Sequence, residues 1–363
     1  MTKPQKILHI IPRLVLGGAE VLVSHYANKM DFVNYDVHVA SVVAGGSLKE
    51  RFKNQNCLWV GDTVKMGGRF GVLRKLKKYI SELQPDIIHT HLLSADVAGY
   101  LAKRRLGKKI RWVVTLHNVE FNTLFLKRWL WRWILKKADA IVAVSPAVAR
   151  YAQSYFAIPK EKINFIPNGI DLTPWLKLTM DNLLTTPKIR LAIIGRLEKQ
   201  KGHAILFRAL SQLKNTPWTL DIFGVGSLER QLRALGATLG IGERLGWRGA
   251  IQDIPAALAD IDVVLQPSLW EGMSLVVMEA LAAGRVVVAS TAAAAGENLI
   301  VNEETGYIVD VGDYQSLGRT LRHIIDNRAE AKKVAVVGRN YAGEHFSIEK
   351  HIEKLTQLYE TLV

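Results

Sequence analysis

Two carboxylates, Glu271 and Glu279, stand in an otherwise apolar stretch of the chain, SLWEGMSLVVMEALAAG. A buried carboxylate is costly unless another group pairs with it, so each glutamate either reaches solvent or meets a ligand. Helical spacing begins near Met273 and ends at Gly284, a residue type that often follows the last helical turn. The pattern therefore places Glu271 in the loop before a helix and Glu279 within its first two turns.

The predicted start of this helix has the chemistry of an anion site. The first backbone N–H groups of a helix have no partner inside it, and they favour negative charge such as phosphate. A phosphate bound there would leave Glu271 near sugar hydroxyls and Glu279 near a ribose diol. The alternative is that Glu271 only stabilises the helix dipole and Glu279 pairs at the surface. The N–H groups concerned are those of Met273, Ser274, Leu275 and Val276.

A second cluster of charge follows a predicted strand, in the stretch IIGRLEKQKGH. Arg196 offers a planar fork of donors and Lys201 a compact cation, and together these can hold a diphosphate. The alternative is a pair of solvated bases on a loop. The stretch lacks the phosphate-loop signature GxxxxGK[ST], so any phosphate binding here follows another pattern.

Gly17 and Gly18 follow the first predicted strand in PRLVLGGAE and precede a predicted helix. Backbone without side chains can approach a phosphate or a sugar closely, although a simple tight turn has the same composition. The dinucleotide signature GxGxxG is missing here, which argues against an oxidoreductase that binds a nicotinamide cofactor.

Composition limits the class of protein. The chain has 363 residues, 49% of them hydrophobic, which predicts two globular domains at roughly 150 residues each. The single cysteine, Cys57, excludes an internal disulfide and favours a reducing compartment. The N-terminal sequence lacks the pattern of a signal peptide, and no long apolar run is free of charge. We therefore expect a cytoplasmic protein without a spanning helix.

Positive charge is concentrated in the N-terminal half. Residues 1–170 contain 27 lysines and arginines against 11 aspartates and glutamates, a balance of +16, whereas the remaining 193 residues balance at −1. This asymmetry predicts that one domain meets an anionic partner, which can be a phospholipid surface, a phosphorylated substrate or nucleic acid. The chain has none of the RNP, KH, zinc or helix-turn-helix signatures, so nucleic-acid binding is a remote alternative.

Strands and helices alternate in both halves, and the strands are short runs rich in Val and Ile. The alternation predicts an α/β fold of two doubly wound, Rossmann-like domains that face each other across a cleft. The turn IPNGID separates an N-terminal domain, 1–170, from a C-terminal domain, 171–343, and a C-terminal helix within 344–363 is expected to pack back on the first. The predicted strands are 6–11, 36–43, 86–91, 111–117, 140–145, 189–195, 219–224, 262–268 and 285–290.

The chain resembles the retaining glycosyltransferases of family 4, which have the GT-B fold. The resemblance spans nearly the full length, and the motifs follow the family's order: GGAE, HTHLLSADVAGYLA, TLHN, VAVS, IPNGID, GRLEKQKG and E-x7-E. It implies a nucleotide-sugar bound mainly by the second domain, retention of anomeric configuration, and no metal ion or other cofactor. The chain departs from the family at Met273-Ser274, where Phe-Gly is common, and at Arg285, where Pro is common.

Carried over to matching positions, the resemblance implies a role for each site residue. Arg196 and Lys201 would hold the donor diphosphate, Glu271 would face the donor sugar, and Glu279 would bind the ribose. His117 would lie near the reacting sugar, where it positions the sugar or moves a proton. The expected catalytic residues are His117, Glu271, Arg196 and Lys201. The expected donor-binding residues are Gly17, Gly18, Arg196, Lys201, Glu271, Gly272, Met273, Ser274, Leu275 and Glu279. The expected acceptor-side residues are Arg13, His91 and Asn118.

The stretch LFLKRWLWRWILKKADA, residues 124–140, predicts a helix that meets a membrane. One apolar stripe has the spacing of a core-facing surface; it consists of Leu126, Trp129, Leu130, Trp133 and Ile134. Trp131 and Leu135 fall on the opposite face among cations, which suits an anionic membrane interface. A buried helix with a solvated basic rim is the alternative. The expected membrane contacts are Lys127, Arg128, Trp131, Arg132 and Leu135.

Together these expectations describe a hexosyltransferase at the cytosolic face of a membrane, to which it is peripherally attached. It would move a sugar from a nucleotide-sugar, with UDP favoured, to a lipid-linked or glycolipid acceptor, as in the assembly of cell-surface polysaccharide or lipopolysaccharide. Its expected partners are that donor, that acceptor and an anionic membrane surface. The alternatives are a soluble acceptor and epimerisation of a nucleotide-sugar.

Overall fold

The computed structural model describes most of the chain. The described residues are 3–15, 17–44, 46, 48, 51–52, 57–59, 68–104, 110–119, 125–251, 253–294 and 298–363.

The chain forms two compact units. The N-terminal unit comprises Met1–Gly169 and Ile348–Val363, and the C-terminal unit comprises Ile170–Ser347. The sequence places the two divisions at 170/171 and 343/344. Within the described ranges, no helix combines the length and the apolar character needed to cross a membrane.

The N-terminal unit is built on a parallel sheet that has seven strands among the described residues, in the order β3-β2-β1-β4-β5-β6-β7. The sequence predicts five of them. It misses β3 and β7 because three residues are too few to show a periodic pattern. The strands are β1 (Gln5–Arg13), β2 (Tyr35–Ala44), β3 (Cys57–Trp59), β4 (Ile87–His91), β5 (Arg111–Leu116), β6 (Ala140–Ala143) and β7 (Ile163–Phe165).

Helices connect these parallel strands and cover the sheet. Leu22, Val23 and Tyr26 of the first helix belong to the core, together with sheet residues such as Ile7 and Val37. All five side chains of β4 are buried, which is typical of a parallel strand covered on both faces. The helices are α1 (Gly18–Lys29), α2 (Gly68–Leu83), α3 (Leu93–Lys103), α4 (Phe125–Leu135) and α5 (Pro146–Phe156).

The C-terminal unit repeats the plan with a six-stranded sheet, counted over the described residues, in the order β10-β9-β8-β11-β12-β13. The sequence predicts four of these strands. It misses β10, whose sequence LGWRG has no apolar run, and β13, which has only three residues. The strands are β8 (Ile189–Ile194), β9 (Trp218–Phe223), β10 (Leu245–Gly249), β11 (Val263–Gln266), β12 (Val286–Ser290) and β13 (Tyr307–Val309).

The helices of the C-terminal unit follow the same alternation, and the last helix of the chain returns to the N-terminal unit. The helices are α6 (Thr173–Leu176), α7 (His203–Ser211), α8 (Glu229–Thr238), α9 (Ile254–Leu258), α10 (Leu275–Ala282), α11 (Tyr314–Asp326), α12 (Arg328–His345) and α13 (Ile348–Leu362). Ile352, Leu355 and Tyr359 of α13 are part of the N-terminal core. The helix begins at Ile348 instead of 344 because α12 continues to His345.

The predicted fold class, two parallel-sheet Rossmann-like domains, is confirmed. In each sheet the strand order reverses direction once, between β1 and β4 in the N-terminal unit and between β8 and β11 in the C-terminal unit. Ligands of open α/β sheets bind beyond the carboxyl ends of the strands at such a reversal. We therefore expect a ligand site at the loops that follow β8 and β11.

Candidate functional site

The loop after β8 carries Arg196 and Lys201 and lies against the loop after β11. Gly202 closes it with a φ of +71°, and a Cβ on Gly202 would lie 2.0 Å from the carbonyl oxygen of Pro267. Only glycine permits this approach, because it has no Cβ and adopts positive φ without strain. The backbone N–H of Leu269 also donates to the carbonyl of Gln200 at 2.7 Å. The two loops are thus joined through their backbones.

This junction brings Lys201 and Glu271 into direct contact. Lys201 Nζ lies 2.6 Å from Glu271 Oε1, and the two side chains are only 13% and 9% exposed. Ser268 Oγ donates to the same carboxylate oxygen at 2.9 Å. The carboxylate that the sequence leaves unpaired in an apolar stretch therefore has a buried cationic partner, and the alternative of a glutamate that only stabilises a helix dipole is wrong.

Gln200 links the residues of this cluster, although it is not among the site residues predicted from the sequence. Its side chain is buried, its Nε2 donates to the Trp270 carbonyl at 2.9 Å, and its Oε1 accepts a bond from Arg196 Nη2 at 3.1 Å. Nε2 also lies 3.5 Å from Glu271 Oε2. Gln200 thereby positions the guanidinium of Arg196, which is an exposed residue. The only sequence signal for this role is its place between two bases on a glycine-closed loop.

Helix α10 begins at Leu275, two residues after the predicted start near Met273, and its cap explains one departure from the family pattern. Ser274 is the N-cap, with an ordinary φ of −78°, and its Oγ accepts the N–H of Val277 at 3.5 Å. A residue with that φ need not be glycine, and serine is a favoured N-cap. Gly272 and Met273 are buried beside it. Glu279 is also buried, so the alternative that it pairs at the surface is wrong.

The second departure, Arg285, has a structural role. Its guanidinium is buried and donates to the carbonyls of Ala283, Ile261 and Thr179 at 3.1, 3.1 and 2.6 Å. Burial lowers the pKa of this side chain, and it outweighs the nearby carboxylate of Asp262, which raises the pKa. Ala283 is the C-cap of α10, so Arg285 supports the C-terminal end of this helix, whereas the candidate site lies at its N-terminal end.

The N-terminal glycines lie at the start of α1. Gly17 is the N-cap with an extended φ of −164°, a conformation that any residue adopts. Gly18 and Arg13 are exposed, and Leu16 between them lies outside the described residues. The backbone alone therefore does not require glycine at position 17, and donor binding by Gly17 and Gly18 stays a prediction.

His117 follows β5 and is partly exposed. Its Nε2 lies 3.0 Å from His91 Nδ1, and His91 Nε2 lies 3.1 Å from His9 Nδ1. His91 is completely buried, so the prediction that it faces an acceptor is wrong: it stands behind His117. Asn118 is partly exposed, and its Oδ1 accepts the N–H of Val119 at 2.8 Å.

A further buried histidine, His89, lies beside this row. Its two ring nitrogens contact Tyr359 Oη and Thr115 Oγ1, both at 2.6 Å. One nitrogen from each of His9, His89 and His91 lies within 4.8 Å of the others, a spacing that a metal ion could use. Hydrogen bonds already engage the His89 nitrogens and the facing nitrogens of the other two rings. Burial lowers the pKa of His9 to about 3 and that of His89 well below its usual value, so both rings are neutral.

The predicted orientation of α4 is wrong for Trp129, Leu130 and Trp133, although Ile134 is buried as predicted. Trp131, Ile134 and Leu135 are the buried residues, whereas Trp129 and Trp133 are 62% and 40% exposed. The two stripes have the same helical spacing, so periodicity could not decide between them. Trp131 and Leu135 therefore cannot contact a membrane in this fold. The side chain of Lys127 lies outside the described residues.

A buried polar bond explains why Trp131 faces inward. Its Nε1 donates to Asp96 Oδ2 at 3.1 Å, and Thr90 Oγ1 donates to Asp96 Oδ1 at 2.7 Å. Trp131 also packs edge-on against Phe156 with ring centroids 4.9 Å apart. A buried indole needs an acceptor for its N–H, and Asp96 on α3 supplies one.

The outer face of α4 carries an exposed apolar surface, the α4 patch, formed by Trp129, Leu130 and Trp133. Cations border it: Arg132, Lys136 and Lys137 are exposed, and Lys137 Nζ lies 5.7 Å from the centre of the Trp133 ring. Arg128 lies flat on Tyr155 with its Cζ 3.8 Å from the ring centre. An apolar surface bordered by cations is thus present on the face opposite to the predicted one.

Comparisons with known proteins agree with this geometry. Residues 16–174 match the family described as Glycosyltransferase Family 4, and residues 180–341 match Glycosyl transferases group 1. The UDP-Gal:alpha-D-GlcNAc-diphosphoundecaprenol alpha-1,3-galactosyltransferase of Escherichia coli is 27% identical over 80% of this chain and 79% of that protein. The Campylobacter jejuni N-acetylgalactosamine-N,N'-diacetylbacillosaminyl-diphospho-undecaprenol 4-alpha-N-acetylgalactosaminyltransferase is 28% identical, and the alignment covers 70% of each chain.

Among solved structures, Anabaena HepE in complex with UDP-glucose superposes with a TM-score of 0.85 at 20% identity, covering 98% of this chain and 99% of that one. This likeness concerns the fold. The two family matches adjoin one another, and each lies on one parallel-sheet unit with its own strand reversal. The protein therefore belongs to the GT-B glycosyltransferases, with an N-terminal family 4 domain followed by a group 1 domain.

Proposed function

We propose that the protein transfers a sugar from a nucleotide-sugar, with UDP favoured, to a lipid-linked or glycolipid acceptor, and that the sugar retains its anomeric configuration. The observation that carries the proposal is the cluster of Arg196, Lys201 and Glu271 at the strand reversal of the C-terminal unit. The relatives from Escherichia coli and Campylobacter jejuni are named for transfer to diphosphoundecaprenol-linked sugars, and one of them for a UDP donor. Both names support a lipid-linked acceptor here.

The donor site can manage charge without a metal ion. The departing nucleoside diphosphate gains negative charge, and Arg196, Lys201 and the start of α10 offer positive charge for it. In the free protein the ammonium of Lys201 is already paired with Glu271 at 2.6 Å. A bound diphosphate would share that ammonium with the carboxylate, which would hold Glu271 beside the sugar. Glu279 of α10 would bind the ribose.

The acceptor side of the reaction belongs to the N-terminal unit. Burial lowers the pKa of His117 to about 3, so the ring is neutral at physiological pH. A neutral imidazole can hydrogen-bond a sugar oxygen or pass a proton, but it offers no positive charge to the diphosphate. The acceptor hydroxyl would attack on the face from which the diphosphate leaves, and its proton would pass to that phosphate.

The α4 patch would hold the N-terminal unit on an anionic membrane at its cytosolic face. Tryptophan rings suit the boundary between headgroups and acyl chains, and each nearby lysine or arginine adds attraction to anionic lipid. The +16 balance of residues 1–170 supports the same placement. A lipid-linked acceptor would then be presented within reach of a surface-bound enzyme.

Donor binding is tested by thermal unfolding with UDP, GDP, ADP, NAD and matched nucleotide-sugars, all with EDTA present. We expect one nucleoside diphosphate to raise Tm, by an amount that grows with ligand concentration as mass action requires. The Glu279→Ala variant should lose that rise. Glu330→Ala, which removes an exposed carboxylate from α12, is the matched control and should keep it. Stabilisation by NAD alone, or by single-stranded nucleic acid alone, would contradict the proposal.

The acceptor class is tested by transfer from the stabilising nucleotide-sugar to undecaprenyl-diphosphate sugars and to soluble oligosaccharides, with the anomeric configuration of the product read by NMR. Transfer to lipid-linked acceptors with retention is expected. Transfer only to soluble sugars, or conversion of the donor sugar to its epimer without transfer, would select one of the alternatives.

Membrane attachment is tested by co-sedimentation with vesicles of phosphatidylglycerol and phosphatidylcholine. We expect the wild type to bind at moderate salt, and the double variant Trp129→Asp, Trp133→Asp to lose binding. Leu176→Asp changes a leucine of the C-terminal unit that is as exposed as Trp129. This control variant should bind like the wild type. Equal binding by all three proteins would show that the α4 patch is not the contact.

A further inference from the structure

Three hydrogen-bonded imidazoles lead from the interior of the N-terminal unit to its surface. His9 Nδ1 lies 3.1 Å from His91 Nε2, and His91 Nδ1 lies 3.0 Å from His117 Nε2. His9 and His91 are completely buried, whereas His117 is partly exposed. We call these three residues the histidine relay.

Each ring of the relay is neutral. Burial lowers the pKa of His9 and His117 to about 3 and that of His91 well below its usual value. Burial also lowers the pKa of two neighbouring rings, that of His89 well below its usual value and that of His351 to about 4. A neutral imidazole has one nitrogen that donates a proton and one that accepts, so the tautomer of each ring decides what it can bind.

Two hydrogen bonds in series allow only two arrangements of the ring protons. In the first, all three rings carry the proton on Nδ1, so His9 donates to His91 and His91 donates to His117. In the second, all three carry it on Nε2, and the direction of both bonds is reversed. Any other combination places two protons or two lone pairs between a pair of nitrogens. The tautomer of His117 is therefore tied to that of His9.

The environment of His9 distinguishes the two arrangements. Its Nε2 is buried and makes no hydrogen bond within the part of the chain that the structure describes. In the second arrangement this nitrogen would carry a buried N–H without an acceptor, a situation that folded proteins almost always avoid. In the first arrangement it carries only a lone pair, so no buried N–H is left without an acceptor.

We propose that His9 is a positioning residue which, through His91, holds His117 in the tautomer with its proton on Nδ1. His117 then has an N–H donor at Nδ1, the ring nitrogen that does not face His91, which is suited to a sugar oxygen, and the residue does not act as the base that removes the acceptor proton. The effect on transfer rests on the proposed function, whereas the tautomer is a property of the free protein.

The tautomers can be read directly from protein labelled with ¹⁵N at histidine, by two-bond ¹H–¹⁵N correlation of the ring nitrogens. The His117→Gln variant assigns the signals of that ring. We expect wild-type His117 to be protonated at Nδ1 in the absence of any substrate. A wild-type spectrum with the His117 proton on Nε2 would overturn the proposal, and this measurement needs no variant of His9 to fold.

Two variants of His9 test the link. His9→Leu removes the donor to His91, so the relay loses its preferred direction and His117 should show a mixture of tautomers. His9→Asn keeps an amide N–H near the place of Nδ1 and should restore the wild-type state. His351→Leu replaces another fully buried imidazole outside the relay and is the matched control. An unchanged His117 spectrum in His9→Leu would refute the link.

Kinetics then connect the tautomer with the reaction. In His9→Leu we expect kcat to fall by about tenfold, the value of one hydrogen bond, with little change in KM for the nucleotide-sugar. His9→Asn should recover most of the loss. If transfer is absent in every protein but the tautomers follow the expectation, the proposed function fails and the relay stands. If Zn²⁺ removes the His9 and His91 signals and EDTA restores them, those nitrogens are metal ligands and the relay is refuted.

Discussion

Replacing Asp96 with asparagine should stabilise the N-terminal unit at neutral pH but not in acid. Asp96 is fully buried on α3 and accepts bonds from Thr90 Oγ1 at 2.7 Å and Trp131 Nε1 at 3.1 Å. Burial raises the pKa of its carboxyl from 3.8 to about 7, against the two hydrogen bonds, which lower it. Asparagine can keep both contacts, because its Oδ1 accepts from the indole and its Nδ2 donates to the threonine hydroxyl.

The sign and size of the effect follow from linkage. The folded-state pKa of Asp96 is higher than its unfolded-state pKa, so the folded protein holds the proton more tightly. Stability is therefore lost as pH rises from about 4 to about 7, and the loss is complete above that window. A difference of about three pKa units corresponds to about 4 kcal/mol. Asp96→Asn does not titrate at this position, so its free energy of unfolding relative to the wild type should grow by about this amount between pH 4 and pH 8.

The assay is urea unfolding at pH 4, 6 and 8, followed by the combined fluorescence of the nine tryptophans, one of which is Trp131. Asp139→Asn is a control with the opposite sign. Burial raises the pKa of Asp139, but the backbone N–H of Trp112 and the ammonium of Lys103 outweigh it and the net pKa is lowered. That variant should therefore lose stability at neutral pH and approach the wild type in acid. A stability difference for Asp96→Asn that does not change with pH would refute the reasoning.

Three further changes probe the contact between Lys201 and Glu271, the loop that Gly202 closes, and α4. Lys201→Met leaves the buried carboxylate of Glu271 without its ammonium and should lower the free energy of unfolding by about 3 kcal/mol in urea; Lys199→Met, at an exposed neighbour, should change it by less than about 0.5 kcal/mol. Gly202→Ala places a Cβ at a φ of +71° and 2.0 Å from a carbonyl oxygen, so Tm should fall by an amount equivalent to at least about 2 kcal/mol. Trp131→Phe keeps a buried ring but removes the N–H that donates to Asp96. Urea unfolding should show that the free energy of unfolding falls by about 1–3 kcal/mol.

The sequence predicts that Arg196 and Glu271 each follow a buried strand, because each position has a local signal. A strand of valines followed by Glu271, and a strand of isoleucines followed by Arg196, each place a polar residue at the carboxyl end of a buried strand. Parallel strands align those ends at one edge of the sheet. What the sequence does not show is that Lys201 and Glu271 meet at 2.6 Å, because that contact depends on two loops that are joined by Gly202.

The positioning residues carry no such signal. Gln200 lies between two lysines and His9 within an apolar strand, and each meets partners that are distant in sequence, Trp270 for Gln200 and His91 for His9. His9 meets His91 across the pairing of β1 with β4, in which His9 lies opposite His89. A pattern along one strand shows which face a side chain takes, but it does not show which strand will be its neighbour.

Helix α4 shows how a buried polar group resolves what periodicity leaves open. The helix has apolar residues on two faces, and both faces fit the spacing of a core-facing stripe. A tryptophan is costly to bury without an acceptor for its indole N–H, whereas an exposed one can donate to water. Among the described residues, Asp96 accepts the indole N–H of Trp131, which lies on the buried face, whereas Trp129 and Trp133 are exposed. The same bond that stabilises the core thus decides which tryptophans are available to a membrane.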